Sequence, residues 1–245
     1  MQLNQIKQKL LAEYKYRIEA HAHSSPVSTC GKVKVPDLVK TYADLGYHGL
    51  VLTNHFIYDY STCFKGRTVE EGIEIYLNDY REAVECGKEY GLSVLLGAEI
   101  RFTEHVNDYL VYGVDEKMLF DFYGYLPFGV ENFRKNYKMP RSVFLQAHPF
   151  RNGMTEIDPS LLDGIETFNL HHDHNSRVAA ANYYAKEHGL KIVIAGTDFH
   201  SHYDRCPAVS AIRTRVMPKD SFEFAAILKS GDYLMEVGCN AVIFP

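Results

Sequence analysis

Apolar residues open the chain at helical spacing. Leu3, Ile6, Leu10, Leu11 and Tyr14 share one face and predict an amphipathic helix. A short strand is expected over 16–20. Residues 21–35 are rich in Ser, Pro, Gly and Thr and read as a loop. Pro36 suits the first turn of a helix running to Leu45, and Gly46 closes it. The run over 49–53 is continuously apolar and predicts a buried strand. Ile73, Tyr76, Leu77, Tyr80, Ala83, Val84 and Gly87 line one helical face, with Gly91 as the stop. Further strands are expected over 92–98, 109–114, 143–147, 164–168, 191–195 and 210–214. Helices are expected over 176–188 and 218–229. The stretch 120–141 mixes aromatics with Arg134, Lys135, Lys138 and Arg141, and reads as an insertion or lid with one short helix.

Strands alternating with helices predict an α/β fold of parallel βαβ units. Seven or eight strands suit a closed TIM-like barrel better than an open doubly wound sheet, the alternative. The length fits one domain over 1–245. No G-x-G-x-x-G follows the first strand, so a dinucleotide site has no support.

Composition narrows the function classes. The net charge of −5 argues against a general nucleic-acid or anionic-membrane binder. No apolar run reaches the roughly 18 residues of a membrane span. The first residues lack a signal-peptide core. Five cysteines, none as C-x-x-C, argue against a disulfide framework or zinc ribbon and for a reduced, cytoplasmic setting. The unusual count is 12 histidines.

Their placement carries the chemistry. His21 and His23 follow the first predicted strand, His55 the second and Glu99 the third. His148 follows 143–147, and Asp198 and His200 follow 191–195. In a parallel barrel those strand ends converge on one face. H-x-H puts two imidazoles on the same side of an extended segment. Imidazole with carboxylate suits Zn²⁺, Mn²⁺ or Fe²⁺ better than Ca²⁺ or Mg²⁺. Seven such residues exceed what one zinc ion needs, so the site is expected to be binuclear or larger.

HAH at 21–23, LTNH at 52–55, GAE at 97–99, AHP at 147–149 and GTDFH at 196–200 fall in the order of five known motifs. With them the chain resembles the PHP (polymerase and histidinol phosphatase) superfamily of metal-dependent phosphoesterases. The resemblance implies a distorted seven-stranded (β/α) barrel and three divalent ions. It implies that His21, His23, Glu99 and Asp198 hold the first ion. Glu99 would bridge to the second, shared with His148, and His55 and His200 would hold the third. Two positions depart from the family pattern. Asp108 best fits the place of a histidine at the second ion, with His105 as competitor. Cys30 falls where the third ion usually takes an aspartate or histidine, and a thiolate there would favour zinc.

Such a centre would hydrolyse a phosphoester through a water activated between ions, with Glu99 and Asp198 in the catalytic set. Arg151 is placed to grip a phosphate oxygen, and His202 to protonate the leaving oxygen. HHDHNSR at 171–177 follows a strand and faces the same mouth. Substrate contact is expected from one or two of His171, His172, Asn175 and Arg177. The segment is also compatible with an additional ion, or with Asn175 as a helix N-cap. The expected substrate is a small phosphomonoester. The alternatives are a phosphodiesterase or exonuclease on short oligonucleotides, a metal-dependent amide hydrolase, and a non-catalytic metal-binding domain.

Overall fold

The computed structural model describes residues 3–201, 210–238 and 241–245. The first half holds α1 (Leu3–Glu13), β1 (Tyr16–Ala22), α2 (Val35–Asp44), β2 (Gly49–Leu52), β3 (His55–Ile57), α3 (Val69–Tyr90), β4 (Ser93–Leu96), β5 (Ala98–Arg101) and β6 (Tyr109–Tyr112). The second half holds α4 (Glu116–Tyr125), α5 (Gly129–Asn136), β7 (Val143–Gln146), β8 (Gly164–Asn169), α6 (Val178–Glu187) and β9 (Ile192–Gly196). It ends with β10 (Ser210–Thr214), α7 (Ser221–Ser230), β11 (Leu234–Val237) and β12 (Ala241–Ile243). No helix among the described residues is long and apolar enough to cross a membrane.

Local chemistry explains the sharpest boundaries. Thr68 caps α3 by accepting the Glu71 amide at 3.2 Å, while Glu71 accepts the Thr68 amide at 2.9 Å. Gly91 ends the helix at φ 69°, a left-handed conformation that suits glycine. Asn175 is not the N-cap of α6. Arg177 holds that position at φ 43°, and the Asn175 side chain instead accepts the Arg177 amide in a local turn.

The strands form two six-stranded sheets, ordered β12-β11-β10-β1-β2-β4 and β3-β5-β6-β7-β8-β9. Among the described residues these ladders do not close into the expected seven-stranded ring. One reason is the link from Arg101 to Tyr109, which is too short for a crossover helix. It forces β6 antiparallel to β5, and β7 then runs antiparallel to β6. A second reason is β10, which runs antiparallel to β1 and continues into an antiparallel edge through β11 and β12. The fold is α/β, but its sheets are mixed.

Two seams join the sheets where the site will lie. At one, β1 reaches the segment after β9 through a bridge between Ala22 and Phe199. At the other, β2 with β4 hands over to β3 with β5. The Gly97 amide donates to Leu52 O at 3.0 Å, and the Glu99 amide to Asn54 O at 3.1 Å. A β-carbon at Gly97 would come within 2.8 Å of Thr53 Cγ2 and Val51 Cγ1, so the crossing admits only glycine.

Most of the stretch 120–141 forms α4 and α5 rather than an irregular excursion with one helix. Its aromatics explain the difference. Phe122 and Phe133 are fully buried, and Phe133 packs against Phe102, Phe122, Tyr137 and Phe144. Phe133→Ala should therefore destabilise the protein by about 3–5 kcal/mol, the usual range for emptying a buried aromatic site. Urea unfolding at constant slope measures it. A loss below about 1 kcal/mol would mean that this packing is not part of the cooperative core.

Candidate metal centre

Each motif arrives at the seams by backbone geometry. His21 is the penultimate residue of β1, and His23 follows two residues on, on the same side. His55 and Glu99 are register partners in the parallel pair of β3 and β5. Asp108 immediately precedes β6, His148 follows β7, and Asp198 and His200 follow β9. His148 at φ 30° and Asp198 at φ 52° occupy left-handed backbone. Such conformations cost about 1–3 kcal/mol for residues other than glycine and cluster at functional sites.

The side chains converge on Glu99. Its Oε1 lies 3.3 Å from His21 Nε2 and 3.3 Å from His148 Nε2. Its Oε2 lies 2.8 Å from His55 Nδ1 and 3.4 Å from His23 Nε2. Yet neither oxygen has a partner in hydrogen-bonding geometry, although both are buried. Asp198 Oδ1 lies 3.2 Å from His23 Nε2, 3.4 Å from His21 Nε2 and 3.4 Å from His200 Nδ1. Three sets of atoms are close enough to share an ion: His21 with His23 and Asp198, His23 with His55 and His200, and His55 with Glu99 and Asp108. Buried carboxylate oxygens left without a hydrogen-bonding partner among imidazole nitrogens fit a cation between them. The centre is therefore able to hold divalent metal.

A buried scaffold aims these groups. His21 Nδ1 donates to Glu166 Oε1 at 2.9 Å, which turns Nε2 toward Glu99. Glu166 Oε2 also accepts the His148 amide at 3.0 Å and Asn169 Nδ2 at 2.9 Å. Glu19 accepts the amides of His21 at 2.8 Å and Thr197 at 3.1 Å, tying the end of β1 to the end of β9. Ser28 Oγ lies 3.3 Å from His23 Nδ1, accepts the His55 amide at 3.0 Å and donates to Asn54 at 3.0 Å. Asn54, next to His55, is a hydrogen-bonding brace whose Oδ1 accepts from the Ser24 amide and Ser28 Oγ. A β-carbon at Gly196 would meet Glu166 Oε1 at 2.5 Å and His21 Cβ at 2.6 Å, so glycine is required for this approach.

Close packing of charge sets the electrostatics. Burial pushes the His21 imidazole down, but Glu166, Asp198 and Glu99 outweigh it and hold its pKa well above the usual value. Burial, with His200 and His55 alongside, pushes His23 well below. Burial would raise Glu99, but His55 and His21 hold it well below the ordinary range, and His21 does the same for Asp198. Burial also raises the Cys30 thiol, while hydrogen bonds with His200 and His55 bring it down to about 6.

The remaining predicted residues divide clearly. Cys30 lies at the exposed edge against His55 and His200. Asp108 points inward, 3.8 Å from His148 Nε2. His105 instead lies beside Glu104 at 3.2 Å. Arg151, His171 and His172 line the same cavity of about 540 Å³ as the centre, together with Lys32 and Arg101. Asn175 and Arg177 are not among the lining residues. The Arg177 guanidinium donates to Phe150 O and Asn152, beside a neighbouring cavity. His202 lies outside the described residues. Sequence reasoning missed Glu166 and Arg101. Glu166 is a carboxylate inside an otherwise inward-facing strand, a signal that was present. Arg101 stands two residues beyond Glu99 and holds Asp108 in a two-pronged pair at 2.7 and 2.8 Å.

A family model described as PHP domain matches residues 19–237. The chain belongs to the PHP-domain family. Among solved structures it is similar to a two-domain protein from Bacteroides vulgatus that contains a predicted PHP-like metal-dependent phosphoesterase. The TM-score is 0.59 at 15% identity, over 91% of this chain and 65% of that one. It is also similar to PsfC from Pseudomonas syringae, with TM-score 0.56 at 15% identity over 80% of each chain. An amidohydrolase from Chromobacterium violaceum overlays with TM-score 0.47 at 15% identity, over 76% of this chain and 89% of that one. A comparison with curated proteins finds no match. At such low identity the structural likeness speaks to the PHP fold alone.

The Glu166 carboxylate orients His21 and the His148 backbone together, and Gln can accept at only one of its two side-chain atoms. Glu166→Gln should lower affinity for zinc or manganese about 10- to 100-fold, the usual effect of losing a partner behind a metal ligand. Competition with a chelating dye measures it. An unchanged affinity would remove Glu166 from the machinery that orients the ligands.

Proposed function

We propose that this PHP-domain protein is a metal-dependent hydrolase that releases phosphate from a small phosphomonoester. The observation that carries the reading is the Glu99 carboxylate, buried, unsatisfied and ringed by four imidazoles. His21, His23 and Asp198 would hold one ion with Glu99. His148 and Asp108 would hold a second that shares Glu99. His55 and His200 would hold a third, with the Cys30 thiol beside them. This donor set suits zinc, manganese or iron. Ions held there would supply a nucleophilic water at neutral pH and offset charge on the phosphoryl group.

The protein's own side chains do the rest. Arg101 fixes Asp108 and neutralises its charge, so the cavity wall does not repel an anion. Arg151 Nη2 lies 3.6 Å from the same carboxylate and turns its planar fork to the cavity, where it grips a phosphate oxygen. His172 stands at the rim of the same cavity. His202 remains the proposed proton donor to the leaving oxygen. Support for a small substrate comes from the size of the cavity, in the usual range for small ligands, and from the net charge of −5, which disfavours a long nucleic-acid track. An amide hydrolase of the carboxylated-lysine type is disfavoured because Glu99 stands at the shared position.

Metal analysis paired with a phosphate-release screen over phosphorylated metabolites and short oligonucleotides tests this function. Release from a small monoester is expected, and release only from oligonucleotide ends would select the phosphodiesterase. Glu99→Ala should strip at least two ions and bring phosphate release to background, because one carboxylate serves two positions. Full metal content in that variant would sink the shared role. Cys30→Ser should lower occupancy of one ion alone, and unchanged content would take Cys30 out of the ligand set.

A further inference from the structure

The loop after β8 carries three imidazoles and a carboxylate in four consecutive residues, His171, His172, Asp173 and His174. None of them belongs to the five motifs that build the centre. The loop is nevertheless anchored to it. Asn169, at the end of β8, donates to Glu166 at 2.9 Å and to Asp198 at 3.1 Å, and its Oδ1 accepts the His171 amide at 3.2 Å. A tight turn follows, in which the His174 amide donates to His171 O at 3.1 Å. This turn stacks the His171 ring on that of His172, with centroids 5.1 Å apart and planes 17° from parallel. Asp173 Oδ1 lies 3.1 Å from His172 Nε2.

The result is a cluster with metal-ligand chemistry at the lip of the cavity. His171, His172 and Asp173 each offer one ligand atom, all within 4.8 Å of one another. All three side chains line the cavity, and the His171 ring lies 5.1 Å from that of His200. Exposure separates this cluster from the centre. The His172 and Asp173 side chains are 38% and 72% exposed, whereas Glu99 is 1% exposed.

We infer that His171, His172 and Asp173 form an additional, exchangeable binding site for a zinc-type divalent ion at the cavity mouth. Two imidazoles and one carboxylate select zinc, cobalt or nickel over magnesium or calcium, which prefer oxygen ligands. Three protein ligands leave an open position for water or for an anion entering the cavity. Solvent exposure makes the site weaker than the buried centre. An ion there also adds positive charge at the entrance, where it attracts an anionic substrate. The site does not depend on which reaction the centre performs.

Zinc titration of the full-length, chelator-stripped protein tests the inference. The wild type is compared with His172→Asn/Asp173→Asn, which changes two exposed side chains, and circular dichroism checks the fold. The wild type should bind one more equivalent than the double variant, and the missing equivalent should be the weakest class. Magnesium should not fill it. Equal stoichiometry and equal affinities in the two proteins would overturn the site. So would weaker binding of inorganic phosphate in the variant with unchanged zinc equivalents, since these side chains would then contact the anion directly. Glu99→Gln is the independent arm. It should lose tight equivalents and keep the weak one. If it loses nothing while the double variant loses one, the buried centre fails and the rim site stands.

Discussion

Burying a carboxylate is costly unless its charge is met, and Glu99 and Asp198 lie buried together between the two sheets. Much of the local structure serves that constraint. Four imidazoles surround Glu99 with ring nitrogens 2.8–3.4 Å from its oxygens, and neither oxygen has a hydrogen-bonding partner. Glu166 and Glu19, themselves buried, hold the backbone and rings that carry those imidazoles. A cluster with this density of like and unlike charge is not a good core by itself. It becomes coherent when cations occupy the points on which the ligand atoms converge.

The mixed sheets follow from the same demand. A purely parallel arrangement would place a crossover between Glu99 and the next strand. The short link from β5 to β6 instead turns the chain back and delivers Asp108 beside His148, seven residues after Arg101 on the same hairpin. The aromatic packing of α4 and α5 then supports that hairpin from outside through Phe102, Phe133 and Phe144. Sequence, packing and site are thus linked through one antiparallel turn.

The cavity has a graded character. Its floor is rigid, built from strand ends, strained backbone at His148 and Asp198, and glycines that admit no side chain. Its rim is made of loops and longer side chains, Lys32, Arg151 and the histidines after β8, that are more exposed. Such a division suits a site that holds its ligand groups in place while leaving its mouth accessible.

The residues of the candidate centre were legible in the sequence because ligand types recur just after apolar runs, and the strand period of two puts H-x-H on one side. The strand that starts at Tyr109 places Asp108 toward His148, while His105 lies beside Glu104. The partners behind the ligands were less so. Glu166 looks like any charged residue in a strand until β8 pairs with β9 and its carboxylate meets His21, 145 positions away in the chain. Arg177 looked like a substrate contact from its distance to the strand end, but the turn at φ 43° carries its guanidinium to Phe150 O instead. The closed parallel ring was the natural reading of alternating strands and helices, because periodicity reports which residues are strand and not which way a strand runs. By itself the sequence determined the α/β elements and the donor atoms of the centre, since both follow from side-chain type and local spacing. Strand direction, the seams between the sheets and the carboxylates that aim the histidines were decided only by tertiary structure, because they depend on contacts between residues far apart in the chain.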